Sequence, residues 1–222
     1  AVVLPMKSSP TILLTGFEPF DGQSTNPSWD AVRALHGKRI AGHRVIACRL
    51  PVAFHASLKD LRAALRETSP ALVICVGLAG GRERISLERV AINVDDARIP
   101  DSQGRQPVDE AIVAGGPAAY FSTLPIKSML AGLRDAGFPV EISQTAGTYV
   151  CNHVFYGLMH ALRKRRKTRG GFIHIPYSPE QAADIPGAFG LPVEVVAEAL
   201  RACLRVAVAT TDDQRLAAGA EH

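Results

Sequence analysis

Ser143-Gln-Thr-Ala-Gly-Thr-Tyr-Val-Cys-Asn-His-Val-Phe-Tyr-Gly-Leu-Met-His160 changes its repeat part-way along. It opens on the end of a strand, Val140 to Ser143, with alternating and β-branched residues. Gly147 breaks that pattern. Beyond Cys151 the apolar residues Val154, Leu158 and Leu162 recur at i, i+4 and i+8, with Ala161 filling the same face, which is the period of a helix. Cys151 or Asn152 therefore sits at the helix N-terminus. A thiol there feels the positive end of the helix dipole and the free N–H groups of the first turn. Both favour thiolate, which can pull the cysteine below its reference pKa of roughly 8.5. The same N–H groups could hold a developing oxyanion. The competing reading is a buried structural cysteine.

Outward from this stretch, strands and helices alternate. Thr11 to Thr15, Arg44 to Leu50, Ala71 to Val76, Ile85 to Val94 and Gly171 to Pro176 read as strands. The segment from Trp29, Ala53 to Leu65, Ile126 to Ala136 and Leu191 to Val208 read as amphipathic helices. Asn26 and Pro27 suit the start of the first of these. The alternation points to one α/β/α layered domain over residues 1–222, with loose ends at 1–10 and about 212–222. Gly77-Leu-Ala-Gly-Gly81 lacks the spacing of a phosphate or dinucleotide loop. It reads as a tight turn at the carboxyl end of a strand, where ligands of open α/β sheets collect. The Gly/Pro-rich segment from Asp96 to Thr123 is long for a connection and reads as a functional or oligomer-forming excursion.

With 222 residues, 47% of them hydrophobic, the chain is long enough for a real core. No stretch approaches eighteen consecutive apolar residues, so no membrane span is expected. The N-terminus is too short and weakly apolar for a secretory signal, and Met6-Lys7 reads as a natural start after a five-residue extension. Cys48, Cys75, Cys151 and Cys203 are widely spaced, with no Cys-x-x-Cys pair. That excludes the usual zinc and redox patterns and suits a reducing cytoplasm. The net charge is +4, and six basic residues fall within 163–169. A solvated helix C-terminus accounts for that run, and no aromatic interleaving supports nucleic-acid binding.

A cysteine nucleophile needs a base and usually a group that orients the base. Of seven histidines, His36, His43 and His55 fall at surface positions and His222 in the tail. His153 and His160 are carried past the thiol by their own helix. His174, near a strand end, is left, although a satisfied core histidine is the ordinary reading of such a residue. Glu88, on another strand, is the carboxylate that could orient it, with Asp95, Asp96 and Asp101 as rivals. Order along the chain is no obstacle, because such sets are defined by geometry.

The chain closely resembles the pyroglutamyl-peptidase I family of cytosolic cysteine peptidases. The resemblance rests on residues 15–22, 26–29, 80–93, 95–101, 144–153 and 171–177 and runs from about Thr11 to the final helix. It implies an α/β/α sandwich around a mixed, mostly parallel sheet, a homotetramer, and no metal or cofactor. It implies a triad at Glu88, Cys151 and His174. The slot for the pyroglutamyl ring falls on Phe17, Phe20, Ile99, Tyr149 and Val150, with Asn26 and Arg98 near the substrate. Leu78 stands where many members carry glutamine, and leucine offers the ring amide no hydrogen bond. The implied substrates are peptides beginning with pyroglutamate. The alternatives are a different hydrolase on the same kind of sheet and a ligand-binding protein that has lost activity.

Overall fold

A computed structural model describes residues 9–220. Residues 1–8 and 221–222, with the proposed start at Met6-Lys7 and His222, lie outside the described residues. Seven strands form the main sheet: β1 (Thr11–Phe17), β2 (Arg39–Ile40), β3 (His43–Leu50), β4 (Leu72–Leu78), β5 (Ile85–Glu88), β8 (Val140–Ser143) and β9 (Arg169–Ile175). Their spatial order is β2-β3-β1-β4-β9-β5-β8. The run β3-β1-β4-β9 is parallel, while β2 is antiparallel to β3 and β5 to β9. Strand β8 is parallel to β5. The sheet is thus mixed and mostly parallel.

Alternation along the strands builds the two outer layers. Ile12, Leu14, Leu72, Ile74, Val76, Ile85, Leu87, Ile173 and Ile175 share one buried cluster. It also holds residues of α1 (Pro27–Arg33), α3 (Ile126–Asp135) and α6 (Val193–Ala209). Leu13, Phe17, Val73, Cys75 and Phe172 belong to the other cluster, with α2 (Ala56–Thr68) and α4 (Val150–Leu162). Because side chains in a strand change face at every residue, Gly77, Glu88 and His174 fall on the α2/α4 face. The period of two therefore sends one residue from each of three neighbouring strands toward the start of α4.

Several boundaries differ from expectation. Ile85 to Val94 is two strands: after Glu88 the chain turns, and β6 (Val90–Ile92) pairs with β7 (Ala119–Phe121) in a separate two-stranded sheet. The Asn152 side chain holds β6 there. Its oxygen accepts from Ile92 N–H at 3.1 Å, and its amide donates to Ile92 and Val94 carbonyls at 2.9 and 3.0 Å. Helix α2 starts at Ala56 because the preceding backbone is bound elsewhere, with Phe54 N–H donating to Asp101 Oδ2 at 2.8 Å. Gly77 and Leu78 still belong to β4, and the turn comes after them. The segment after 212, expected to be loose, is tied down at Asp213. That carboxylate accepts from Lys127 and Ser128 N–H at 2.9 and 2.8 Å and so caps α3. In the basic run, Arg165 donates to Leu65 O and Arg169 to Ala207 and Thr210 carbonyls, so these two charges serve packing.

Candidate active site

Cys151 is the second residue of α4. The N-cap position belongs to Tyr149, whose side chain makes no capping bond. An uncapped first turn usually costs about 1 kcal/mol, and it leaves backbone N–H groups beside the thiol available to an anion. The Cys151 sulfur lies against Gly77. A Cβ on Gly77 would come within 2.8 Å of Sγ and 2.9 Å of the Phe172 ring. Gly77 is the ladder partner of His174. Adjacent strands are about 4.8 Å apart, so the sulfur lies over the strand next to the one that carries His174, on the same sheet face.

His174 is buried beside Phe172, ring centroids 4.8 Å apart. Its Nδ1 lies 2.7 Å from Glu88 Oε1. A carboxylate only accepts, so Nδ1 carries the proton and Nε2 keeps its lone pair. Glu88 is fully enclosed, at 0% exposure. Arg82 reaches the same Oε1 at 2.7 Å and donates its other terminal N–H to the Thr145 carbonyl at 3.0 Å. Of the three rival carboxylates, Asp96 is exposed and the other two are engaged elsewhere. Asp95 Oδ2 accepts from His153 Nδ1 at 2.7 Å, and Asp101 takes the N–H groups of Phe54, Gln103 and Arg105.

Burial works against the effect of the helix dipole. Burial pushes the Cys151 thiol up to about 12, with the Glu88 charge adding and Arg82 opposing. Desolvation outweighs the helix dipole here. Burial likewise lowers His174 from its ordinary value, against the raising effect of its bond to Glu88. The resting pair is thus neutral thiol and neutral imidazole. Core cysteines Cys75 and Cys203 are also raised to about 12. Cys151 is set apart by its neighbours and not by its acidity.

Beside the thiol opens a cavity of about 480 Å³. Phe17, Phe20, Asn26, Leu78, Arg98, Ile99, Tyr149 and Val150, the eight residues expected around a substrate, all line it with Cys151. Phe17 comes from the end of β1 and Leu78 from the end of β4. The Tyr149 ring packs edge-on against Phe54, and its hydroxyl donates to the Pro100 carbonyl at 2.9 Å. Asn26 both caps α1 and faces the cavity: its oxygen accepts from Ser28 N–H and hydroxyl, and its amide donates to Glu18 O. Sequence reasoning missed Gln23, Tyr177 and Gln181 on the same walls. Ser178-Pro-Glu-Gln181 forms a capping box, a pattern readable from the sequence as a helix start. Among the described residues no group of three or more His, Cys, Asp or Glu side chains is placed to hold a metal ion.

Fold and site together describe an α/β/α protein with a cysteine, a histidine and a glutamate at the carboxyl end of its central strands, beside a cavity with mixed apolar and polar walls. The model of the pyroglutamyl peptidase family matches residues 10–210. The pyrrolidone-carboxylate peptidase of Erwinia tasmaniensis is 58% identical over 211 residues, covering 95% of this chain and 99% of the relative. That of Klebsiella pneumoniae is 57% identical with the same coverage. Among solved structures, pyroglutamyl peptidase I from Bacillus amyloliquefaciens superposes with a TM-score of 0.91 at 45% identity, covering 95% of this chain and 100% of that one. The pyrrolidone carboxyl peptidase of Thermococcus litoralis gives 0.90 at 35%, covering 94% and 99%. The chain belongs to the pyroglutamyl peptidase family.

Proposed function

We propose that the protein is a cysteine peptidase that removes an N-terminal pyroglutamyl residue from peptides. The observation that carries this reading is a buried Glu88–His174 pair beside the Cys151 sulfur, at the edge of a cavity walled by Phe17, Phe20, Ile99 and Tyr149. Pyroglutamate is a small neutral lactam. A slot whose aromatic and aliphatic walls take the ring face while polar side chains reach its amide suits it, and about 480 Å³ is within the ordinary range of ligand pockets.

In the proposed reaction His174 Nε2 takes the Cys151 proton as Sγ attacks the carbonyl joining the lactam ring to the next residue. Proton transfer accompanies the attack. The oxyanion faces the first N–H groups of α4 and the Arg98 side chain. As the C–N bond breaks, the proton on Nε2 passes to the leaving amine. A thioester remains. Water, deprotonated by His174, then attacks it, the C–S bond breaks, the thiol regains its proton, and free pyroglutamate departs. Glu88 holds the Nδ1–H tautomer throughout and stabilises the transient imidazolium. No step calls for a metal or a cofactor.

The same reading includes a cytoplasmic homotetramer. Four free cysteines suit a reducing compartment, and among the described residues no helix is long and apolar enough to cross a membrane. The apolar Val108 and Phe121, each more than two-thirds exposed, are surface that association could cover. Light scattering behind a sizing column measures the oligomer.

The deciding assay is amine release from a pyroglutamyl reporter amide, run with thiol reductant and set against prolyl and alanyl amides. Turnover confined to the pyroglutamyl compound is expected. Equal turnover of the others, or binding of pyroglutamate without turnover, would replace this reading by one of its alternatives.

A further inference from the structure

Arg82 touches neither the cavity nor the thiol, yet it holds both ends of the apparatus behind them. One terminal nitrogen lies 2.7 Å from Glu88 Oε1, the oxygen that also accepts from His174. The other donates to the Thr145 carbonyl, in the segment that leads from β8 into the helix bearing Cys151. Glu88 has no exposed surface, and its Oε2 finds no partner among the described residues. A fully buried carboxylate with one oxygen unserved depends for its position on the bonds its other oxygen makes. Among the described residues, Arg82 and His174 are the side chains bonded to Glu88.

We propose that Arg82 is a positioning residue for the proposed peptidase reaction, holding the Glu88 carboxylate in place as hydrogen-bond acceptor for His174 and tying that carboxylate to the strand-to-helix segment that presents Cys151. The inference rests on the function proposed above. It adds a fourth member, arriving from the turn after β4, to a set of three. The forked guanidinium suits the role because it reaches two acceptors at once, which a lysine ammonium on a flexible stem does less well. The charged and titratable groups that bear on His174 and Cys151 are Glu88 from β5, Arg82, and Cys75 from β4. The Arg82 charge opposes protonation of His174 and favours ionisation of Cys151.

The test compares wild type, R82K, R82M, E88Q and the R82M/E88Q double variant on a pyroglutamyl amide across pH, with Tm recorded for each. R82M is expected to lose roughly 10- to 100-fold in kcat, the scale of a misplaced catalytic group, with KM within about twofold because Arg82 does not line the cavity. Its acid limb is expected at higher pH, since His174 then holds its proton more tightly. R82K is expected between the two. On the E88Q background R82M is expected to cost little more, since its acceptor has lost its charge. Unchanged kcat and acid limb, a change in KM alone, or fully additive losses would overturn the proposal. If R82M fails to fold, R82K decides: lower kcat at unchanged KM supports the proposal, and wild-type kcat with an unmoved limb rejects it. If wild type does not turn over the amide, the parent reading fails, and Arg82 is judged by Cys151 alkylation with iodoacetamide. Slower alkylation below pH 9 in the arginine variants supports the link, and an unchanged rate rejects it.

Discussion

Gly77 and Cys151 meet so closely that no side chain fits between them: a Cβ at 77 would stand 2.8 Å from the sulfur. The glycine is not there to allow a turn, because Gly77 lies within β4, one ladder step from His174. It lets the start of α4 settle on the sheet at the height of the imidazole. Gly77→Ala therefore pushes either the thiol or the Phe172 ring away. Overpacking of this kind costs about 1–3 kcal/mol, and the displaced sulfur costs more in rate than in stability. The expected outcome is a folded variant with kcat reduced roughly 100-fold, measured with the reporter amide beside a thermal melt. Wild-type turnover in that variant would show that the thiol needs no such approach.

The three histidines nearest the thiol in sequence or space separate cleanly by their partners. His174 bonds Glu88. His153 is buried, accepts from His55 N–H at 3.0 Å through Nε2 and so donates through Nδ1 to Asp95. His160 meets the Tyr120 hydroxyl at 2.9 Å, away from the cavity. His174→Ala, like Cys151→Ser, is expected to abolish turnover with the fold retained. His153→Ala leaves Asp95 buried beside its already unpartnered Oδ1, a loss of about 3–5 kcal/mol and a fall in Tm on the order of 10 °C, with the remaining folded enzyme active. His160→Ala is expected to do less of either. Similar activity losses in all three variants, at equal folded fraction, would remove His174 from its role.

The pH dependence has a definite sign. His174 is lowered from 6.5 by burial. The unfolded chain therefore takes that proton first, and stability is lost as pH falls below about 6.5 and is unaffected by this group above it. Cys151 is raised from 9.0 to about 12. Its contribution holds below pH 9 and is lost between about 9 and 12, where only the unfolded thiol ionises. For kcat/KM the acid limb falls below pH 6.5, and the thiol imposes no alkaline limb before pH 9. Alkylation of the free protein by iodoacetamide should climb with pH from 7 to 9. A rate already flat at pH 7 would mean a resting thiolate and a different first step.

What the sequence disclosed follows the range of its interactions. The change of period at Cys151 is local, and so the strand, glycine break and helix were legible without the fold. The alternation that puts Glu88 and His174 on one face was legible too, but the strand order that makes them neighbours was not, since 86 residues separate them. Residue resemblance supplied that pairing and the eight cavity residues. Arg82 stayed hidden because a surface arginine six residues before a glutamate looks the same whether or not both turn inward. Asp213 was read as tail because its partners lie 85 and 86 residues earlier. The thiol acidity follows the same rule: the helix dipole is visible in sequence, whereas the desolvation the fold imposes on the sulfur is not.

Leu78 gives the last test. It lies at the carboxyl end of β4, pairs with Ile175 across the ladder and contributes an apolar wall to the cavity. A leucine there can neither donate to nor accept from a lactam. Two of the polar side chains on these walls are engaged by the protein. Gln181 serves its capping box and lies 3.4 Å from Gln23, and the Asn26 oxygen is taken up by Ser28. Leu78→Gln places a carboxamide beside the ring amide without disturbing Glu88 or His174, both of which lie outside the cavity lining. One hydrogen bond to a neutral group contributes about 0.5–1.5 kcal/mol, so KM for a pyroglutamyl amide is expected to fall roughly two- to tenfold with kcat nearly unchanged. Free pyroglutamate as an inhibitor should gain by the same factor, since it presents the same ring. A lower kcat at unchanged KM would mean that residue 78 acts on the reacting carbonyl and not on the ring.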